Sequence, residues 1–547
     1  MSDGNALLAD GTHFTNGDVQ RNGQRTPPSP DEWEARRARA GGQMSKAPTG
    51  GERPAVVAMP SNPARTVNAD AIPDFPLTDA GNGERLMQDH GDKLKFVALL
   101  KKPIVYGDGV WSMDDTGAAD RLALDTIRRI KKLGACLSQS EDDEKHALGL
   151  KLLRHAHNSE SNRRLTDMLT RASKVHGASI MPDKLDRDLW KFNVLNGTID
   201  LKTITLLPHC RDDFITKISP VKYDPSATCP DFLAYLDAIF ECNGDLIRFI
   251  QRAIGYTLSG ITTERAMFIL YGCGSNGKST LLGIVRELMG TYGTQTAADT
   301  LMTKRHEGIP NDVARLKGAR YVSAVEVDEG KRLAEGLVKR MTGGEDVLTA
   351  RYLFSEFFDF VPTFKLWLAT NHKPLIRGTD PAIWDRIKLI PFNRRFEESE
   401  KDKELPKRLK LELPGILNWV IEGCRDWQQN GLGVPAVVSD ATKEYRDEMD
   451  FLAEFIADQC VVGPKCEAGA TALYDRYRIW AQVNREEPIS QTKLGRQLQN
   501  RGFGSGKDAK GCKTRIGIGI CAKGNVSPDS YGGTSGSSRE DFDSTGS

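Results

Sequence analysis

One stretch of eight residues, Gly272, Cys273, Gly274, Ser275, Asn276, Gly277, Lys278 and Ser279, restricts this chain more than any other. It satisfies G-x-x-x-x-G-K-[ST] at every position. Glycines are needed because a loop that wraps phosphates with its backbone N–H groups must take positive φ. Lys278 is expected to reach the β- and γ-phosphates of a nucleotide, and the Ser279 hydroxyl to sit on Mg2+. An apolar run, Met267 to Tyr271, precedes the loop and reads as a strand. A periodic apolar run, Leu281 to Met289, follows and reads as a helix with its N-terminus aimed at the phosphates. The rival explanation is a glycine-rich turn that happens to precede a lysine; strand before and helix after speak against it. The expected nucleotide contacts are Gly272, Gly274, Ser275, Asn276, Gly277, Lys278, Ser279 and Thr280, with ATP and Mg2+ as ligands.

Such a loop implies only a nucleotide. Further segments narrow the chemistry. "RYVSAVEVDEGKRL" from Arg320 is an apolar strand that ends in Glu326, Asp328 and Glu329. A carboxylate at the end of a strand beside the loop's own strand can hold Mg2+ and polarise the attacking water. Glu326 is favoured as the acid closing the strand, and each of the three also reads singly as a solvated acid. The metal set expected here is Ser279, Glu326 and Asp328. "FKLWLATNHKP" from Phe364 is another strand, ending in Thr370 and Asn371. An amide there can orient water or sense the γ-phosphate, although asparagine is also a common turn residue. Fifteen residues later Arg386 stands just before a strand in "AIWDRIKLIPF". It can project to a subunit edge and complete a neighbour's site; a salt-bridged surface arginine is the rival. Lys278, Glu326, Glu329, Asn371 and Arg386 form the expected catalytic set.

The rest of the chain places this segment. Residues 1–72 carry 8 Lys/Arg against 8 Asp/Glu and few large apolar side chains. They read as a disordered arm to residue 73, with one helix-start signal in "SPDEWEARRARA" from Ser29. Residues 74–225 read as a mixed α+β region, with a hairpin in "IVYGDGVWSMDDTG" from Ile104, a helix in "RLALDTIRRIKKL" from Arg121 and a second hairpin in "LNGTIDLKTITLLPH" from Leu195. Residues 226–262 read as a helical collar, 263–400 as an α/β unit and 401–447 as a helical extension. The tail 524–547, with one Arg against four acids, reads as disordered. The 10 cysteines include no CxxC pair, which argues against a zinc ribbon or a disulfide framework. No signal pattern and no 18-residue apolar run is present, so a cytoplasmic protein without a membrane partner is expected.

Residues 448–523 read as a last small unit. Over 488–523 there are 8 Lys/Arg and 1 Asp/Glu, an excess of +7 in a chain whose net charge is +1. Leu494 and Leu498, four apart, would bury one helix face in "ISQTKLGRQLQNRGF". A turn-rich segment and alternating residues follow, so helix then hairpin suggests a winged helix. Lys493, Arg496 and Arg501 would lie along its helix, and Lys507, Lys510, Lys513 and Arg515 on its wing. Such cations bind phosphates with little sequence information; a solvated charged face, or contact with a protein, is the alternative.

Together these segments resemble the superfamily 3 helicases, an AAA+-like group of small viruses, phages and plasmids. More closely, the chain is similar to the helicase half of phage and plasmid primase-helicases and of poxvirus-type primase-helicases. The resemblance rests on "NVLNGTIDL", "YGCGSNGKSTLL", "GIPNDVARLKGARYVSAVEVDEGKRL", "MTGGEDVLTARY", "FKLWLATNHKPLIRGTDPAIWDRI" and "LPGILNWVIEGC", and covers roughly 85–520. It implies an α/β fold: an AAA+-like P-loop ATPase core with an α-helical pre-domain and a C-terminal winged-helix domain. Gly277, Lys278 and Ser279 match the Walker A positions, Glu326 and Glu329 the Walker B region, Asn371 the motif C sensor and Arg386 the arginine finger. Lys331 and Arg351 fall where the family places basic residues, near a DNA-facing channel or the next subunit's nucleotide. The implied protein is an ATP-dependent replicative DNA helicase of a phage, plasmid or integrated element, acting in a bacterial host. It would be a homo-hexameric ring tracking 3′ to 5′ on single-stranded or forked DNA, with a separate primase or replication initiator as a further partner. Priming by this chain is not expected, since no zinc-binding cysteine set or polymerase-type acid cluster stands upstream. The alternatives are an origin-binding ATPase switch or a loader that hydrolyses ATP without unwinding, and a packaging motor, which a nuclease segment would favour.

Overall fold

A computed structural model describes residues 75–98, 100, 102–304, 311–351, 357–377, 380–484 and 488–521. The arm, its helix-start signal and the tail from Gly524 lie outside the described residues.

At the centre is a five-stranded parallel sheet in the order β14-β8-β13-β10-β9. Its strands are β8 (Met267–Tyr271), β9 (Gly293–Ala297), β10 (Tyr321–Val325), β13 (Lys365–Thr370) and β14 (Ile387–Pro391). Side chains alternate between faces along a strand, and here both faces are covered. Phe268, Leu270, Tyr321, Trp367 and Ile390 enter one core. Met267, Ile269, Val322, Leu368 and Leu389 enter the other. This double burial is why β8, β10 and β13 read as largely apolar runs rather than alternating ones.

The first face carries α5 (Pro230–Ile239), α6 (Gly244–Leu258), α7 (Lys278–Met289), α11 (Leu405–Leu411) and α12 (Leu413–Asn430). Helices α6 and α12 touch through glycine: a Cβ on Gly255 would stand 2.1 Å from the Cys424 nitrogen, and one on Gly423 2.1 Å from the Gln251 carbonyl oxygen. The second face carries α8 (Asn311–Ala314), α9 (Glu335–Met341), α10 (Pro381–Trp384), α13 (Ala436–Glu448) and the hairpin β11 (Leu348–Arg351)–β12 (Phe357–Phe360).

Upstream, the sheet β3-β2-β1-β4 is built from β1 (Leu94–Val97), β2 (Lys102–Gly107), β3 (Val110–Met113) and β4 (Ser179–Ile180). It lies with α1 (Asp79–His90), α2 (Ala118–Leu137), α3 (Asp143–Ser159) and α4 (Asn162–Ala172) around a core of its own. The Gly-Asp-Gly turn expected between β2 and β3 is present, with Asp108 and Gly109 at φ +50° and +79°. Of the paired acids of "WSMDDTG", Asp114 serves a helix start: it accepts from the Ala118 and Ala119 amides at 2.8 and 2.7 Å. A second antiparallel sheet, β5 (Lys191–Val194), β6 (Gly197–Asp200) and β7 (Thr205–Leu207), contributes Phe192, Val194 and Ile199 to the central core instead. This upstream region therefore mixes helices and strands, and an all-α-helical pre-domain is too narrow a description.

The last unit runs α14 (Phe451–Gln459), β15 (Cys460–Gly469), α15 (Ala470–Val483), α16 (Gln491–Asn500), β16 (Gly504–Lys507) and β17 (Lys513–Ile520). Its antiparallel sheet has the order β15-β17-β16. Leu494 and Leu498 are buried, as their spacing requires. Among the described residues, no helix is long and apolar enough to cross a membrane.

Candidate nucleotide site

Parallel strands bring their C-terminal ends to one edge of the sheet, where loops from separate parts of the sequence meet. Three of these loops matter here. Gly272 follows β8, Asn371 follows β13, and Glu326 follows β10.

The first loop is bent by left-handed residues: Gly274, Ser275 and Gly277 have φ +66°, +48° and +88°. Two glycines have a further, steric reason. A Cβ on Gly272 would stand 2.3 Å from the Phe392 carbonyl oxygen, and one on Gly277 2.7 Å from Ile239 Cγ2. Helix α7 starts at Lys278 itself, so its first N–H groups face the loop. From outside, the Phe396 amide donates to the Ser275 carbonyl at 2.8 Å, and the Tyr235 hydroxyl donates to the Gly277 carbonyl at 2.7 Å. Neither brace is legible in the sequence. Tyr235 and Phe396 are apolar-looking positions far from the motif, and nothing local marks them.

Lys278 is buried, at 5 % exposure. Its ammonium donates to the Gly272 carbonyl at 2.6 Å, to Asn276 Oδ1 at 3.0 Å and to Asn371 Oδ1 at 3.0 Å. Burial pushes its pKa below the usual lysine value, with the neighbouring Cys273 acting in the opposite sense. All three acceptors are neutral, and among the described residues no carboxylate pairs with this ammonium. A buried cation with neutral partners, in a glycine-bent loop at a helix start, is chemistry that suits an anion. Ser279 is exposed and Thr280 half-buried.

The acids stand one strand further away than the sequence suggested. β10 is not beside β8; β13 lies between them. Glu326 is held to that intervening strand by its amide, which donates to the Ala369 carbonyl at 3.0 Å. Two strand spacings, about 10 Å, thus separate the line of Glu326 from that of the phosphate loop. Its backbone is left-handed, φ +63°, an uncommon state for glutamate. Glu326, Asp328 and Glu329 are all exposed. Among the described residues, no group of three or more His, Cys, Asp or Glu is placed to hold a metal ion.

Arg386 lies at the opposite edge of the sheet. Its carbonyl accepts from the Met267 amide, at the start of β8, at 2.7 Å. The five residues of β8 put about 16 Å between that point and the phosphate loop of the same chain. The guanidinium donates to Thr342 Oγ1 at 3.1 Å and to the Ala382 carbonyl at 2.5 Å. Among the described residues it has no ion-pair partner, unlike the salt-bridged arginine that was its rival reading. Arg386 thus stands at the end of the sheet away from the phosphate loop of its own chain.

The expected DNA-contacting cations fall into different classes. Lys331 is held by Asp299 at 3.4 Å and Asp328 at 3.6 Å. Arg351, on the hairpin β11–β12, lies over the exposed Phe357 ring at 5.2 Å. Lys493 and Arg496 are exposed on α16, and Lys507, Lys510 and Lys513 on the β16–β17 hairpin. Arg501 is bound to Asp450. Arg515 is half-buried against Gly495, where a Cβ would meet its guanidinium. Arg501 and Arg515 thus make contacts within the C-terminal unit.

The chain is similar to several known proteins. Residues 83–241 match the family model described as D5 N terminal like. A protein named "putative helicase" from Acanthamoeba polyphaga mimivirus is 28% identical over 325 residues, covering 55% of this chain and 34% of that protein. One of the same name from Invertebrate iridescent virus 3 is 27% identical over 311 residues, covering 50% and 33%. A protein named "putative primase" from African swine fever virus is 26% identical over 351 residues, covering 58% and 36%. A solved structure, the apo A form of the NrS-1 C-terminal region, aligns over 78% of this chain and 96% of its own at 11% identity and a TM-score of 0.40. The chain spans about a third of the length of the curated relatives it matches. The resemblance to D5-like viral primase-helicases therefore stands. These named relatives come from viruses, none of them a phage or plasmid, so the expected phage or plasmid origin is not what they carry.

Proposed function

We propose that this chain is an ATP-dependent DNA helicase with an AAA+-like core, hydrolysing ATP at interfaces between copies in a ring. One observation carries the reading: the buried ammonium of Lys278, without an acidic partner among the described residues, shared with Asn371 at the open edge of the sheet. The loop amides and Lys278 would hold the β- and γ-phosphates. Mg2+, bound with the nucleotide by Ser279 and the acids at 326 and 328, would neutralise charge on the phosphate oxygens. Glu326 or Glu329 would take a proton from water as its oxygen bonds to the γ-phosphorus. The bond from that phosphorus to the bridging oxygen breaks, and ADP and phosphate leave. Asn371 would orient the water or the γ-phosphate. Arg386 of a neighbouring copy would stabilise the charge on the transferring group, which its distance from its own loop favours. A closed ring supplies every copy with such a neighbour.

The exposed cations of the winged-helix-like C-terminal unit would bind DNA phosphates, and Arg351 with Phe357 would meet single-stranded DNA by charge and stacking. Mixing Lys278→Ala with Arg386→Ala tests the shared site. Each variant alone should be inactive, and the mixture should regain ATPase activity, because some interfaces then hold an intact loop and an intact arginine. A mixture as inactive as its parts would overturn hydrolysis between copies.

A further inference from the structure

We infer that Lys373 is a positioning residue. It fastens the turn carrying Asn371 to the C-terminal end of α13, and so links occupancy of the phosphate loop to the DNA affinity of the C-terminal unit. The inference rests on the ATPase reading above.

Asn371 faces Lys278, and the turn is closed locally by Thr370, whose hydroxyl donates to the His372 carbonyl at 2.7 Å. Lys373 leads away from the phosphate loop towards α13. Its ammonium lies 4.9 Å from the ring centre of Tyr271, the last residue of the strand feeding the phosphate loop, and 5.6 Å from that of Tyr445 in α13. It donates to both carboxylate oxygens of Glu448, at 2.8 and 2.7 Å. The lysine side chain is 14% exposed and the glutamate side chain 43%, so the pair is buried at its Lys373 end and open to solvent at Glu448. At the next residue the Tyr445 hydroxyl donates to the Pro374 carbonyl. Two consecutive residues of the turn are thus tied to one helix.

That helix ends at Glu448. Two residues on, Asp450 starts α14 by accepting from the Ala453 amide at 3.0 Å, and it also accepts from Arg501 at the end of α16. The path from Lys278 to the basic helix is therefore continuous, through hydrogen bonds, ion pairs and short runs of chain. When a γ-phosphate takes the Lys278 ammonium, Asn371 loses its donor and the turn is free to shift. Lys373 and Glu448 then pass that shift to α13. Coupling of this kind is reciprocal and typically changes affinity about 5- to 150-fold.

The test uses the full chain, a non-hydrolysable ATP analogue and a fluorescent forked DNA. In the wild type, the analogue should change the DNA Kd by about fivefold or more, and DNA should change the analogue Kd by the same factor. Lys373→Met and Glu448→Gln should each bring that factor near one while either ligand alone binds as before. The reversed pair, Lys373→Glu with Glu448→Lys, should restore it. Single variants that keep the wild-type factor would overturn the inference. So would uncoupling that the reversed pair fails to repair, because lost packing rather than the ion pair would then be the cause. Wild type that binds both ligands without coupling would overturn the inference alone; wild type that binds no nucleotide would overturn the underlying ATPase reading.

Discussion

Lys278 Nζ donates to Asn371 Oδ1 at 3.0 Å, across 93 positions of sequence. The pair joins the start of α7 to the turn after β13 and gives the buried ammonium a neutral acceptor that a phosphate can replace. The two residues should then fail differently. Lys278→Ala should lower nucleotide affinity about a hundredfold, as loss of a buried charge that meets phosphate implies. Asn371→Ala should leave affinity within about fivefold and slow turnover about a hundredfold, the range seen when one aligned polar group is lost from a transition state. Equilibrium binding of a fluorescent ATP analogue beside steady-state hydrolysis separates them.

Glu326 adopts φ +63°, where a side chain is strained by about 1–2 kcal/mol. Glu326→Gly should relieve part of this and raise the melting temperature relative to Glu326→Gln, while both abolish hydrolysis. Glu329→Gln, further along the turn, should keep the larger share of activity. A fully active Glu326→Gln would move the base to Glu329.

The α6–α12 contact should tolerate no methyl group. Gly255→Ala sets a Cβ 2.1 Å from backbone nitrogen, and overpacking of this kind costs roughly 1–3 kcal/mol. Thermal unfolding should show the loss, and Gly283→Ala, where a Cβ meets nothing within 4 Å, should be neutral or stabilising by about 1 kcal/mol.

Asp114 gives acid sensitivity to the upstream region. Burial raises its carboxyl pKa, but hydrogen bonds from the Ala119, Ala118 and Thr116 amides and the Thr116 hydroxyl outweigh burial and hold it below 3.8. A depressed carboxylate contributes stability that is present above its unfolded value and is lost as pH falls through the folded value. Asp114→Ala should therefore cost about 1 kcal/mol at pH 7, and the difference from wild type should shrink at the acid end. A difference independent of pH would contradict this role.

The C-terminal cations divide by their partners. Lys493→Ala and Arg496→Ala should each weaken DNA binding and reduce the salt slope by about 0.9. Arg501→Ala should destabilise the C-terminal unit through Asp450, with the salt slope changed less. Fluorescence anisotropy across a salt series, beside thermal melts, checks both.

What the sequence revealed was what is local. The strand Met267–Tyr271, the glycine loop and the following helix are contiguous, and their periodicity and φ requirements are written in neighbouring residues. The strands ending before Glu326 and Asn371 were legible for the same reason. Their order was not, because both are equally apolar on two faces, and only tertiary packing sets β13 between β8 and β10. Partnerships across long separations were also hidden. Tyr235 with Gly277, Lys373 with Glu448 and Arg501 with Asp450 join residues that look ordinary alone. Cys460–Gly469 was missed as a strand; its cysteines, glycines and proline carry little strand signal.

The most direct test is ATP-driven separation of a forked DNA duplex by the wild type beside Lys278→Ala. Wild type should displace the strand only with hydrolysable ATP and Mg2+, and Lys278→Ala should displace none. Wild type that hydrolyses ATP yet separates no fork of either polarity would contradict the helicase reading and leave an ATP-driven switch or loader in its place.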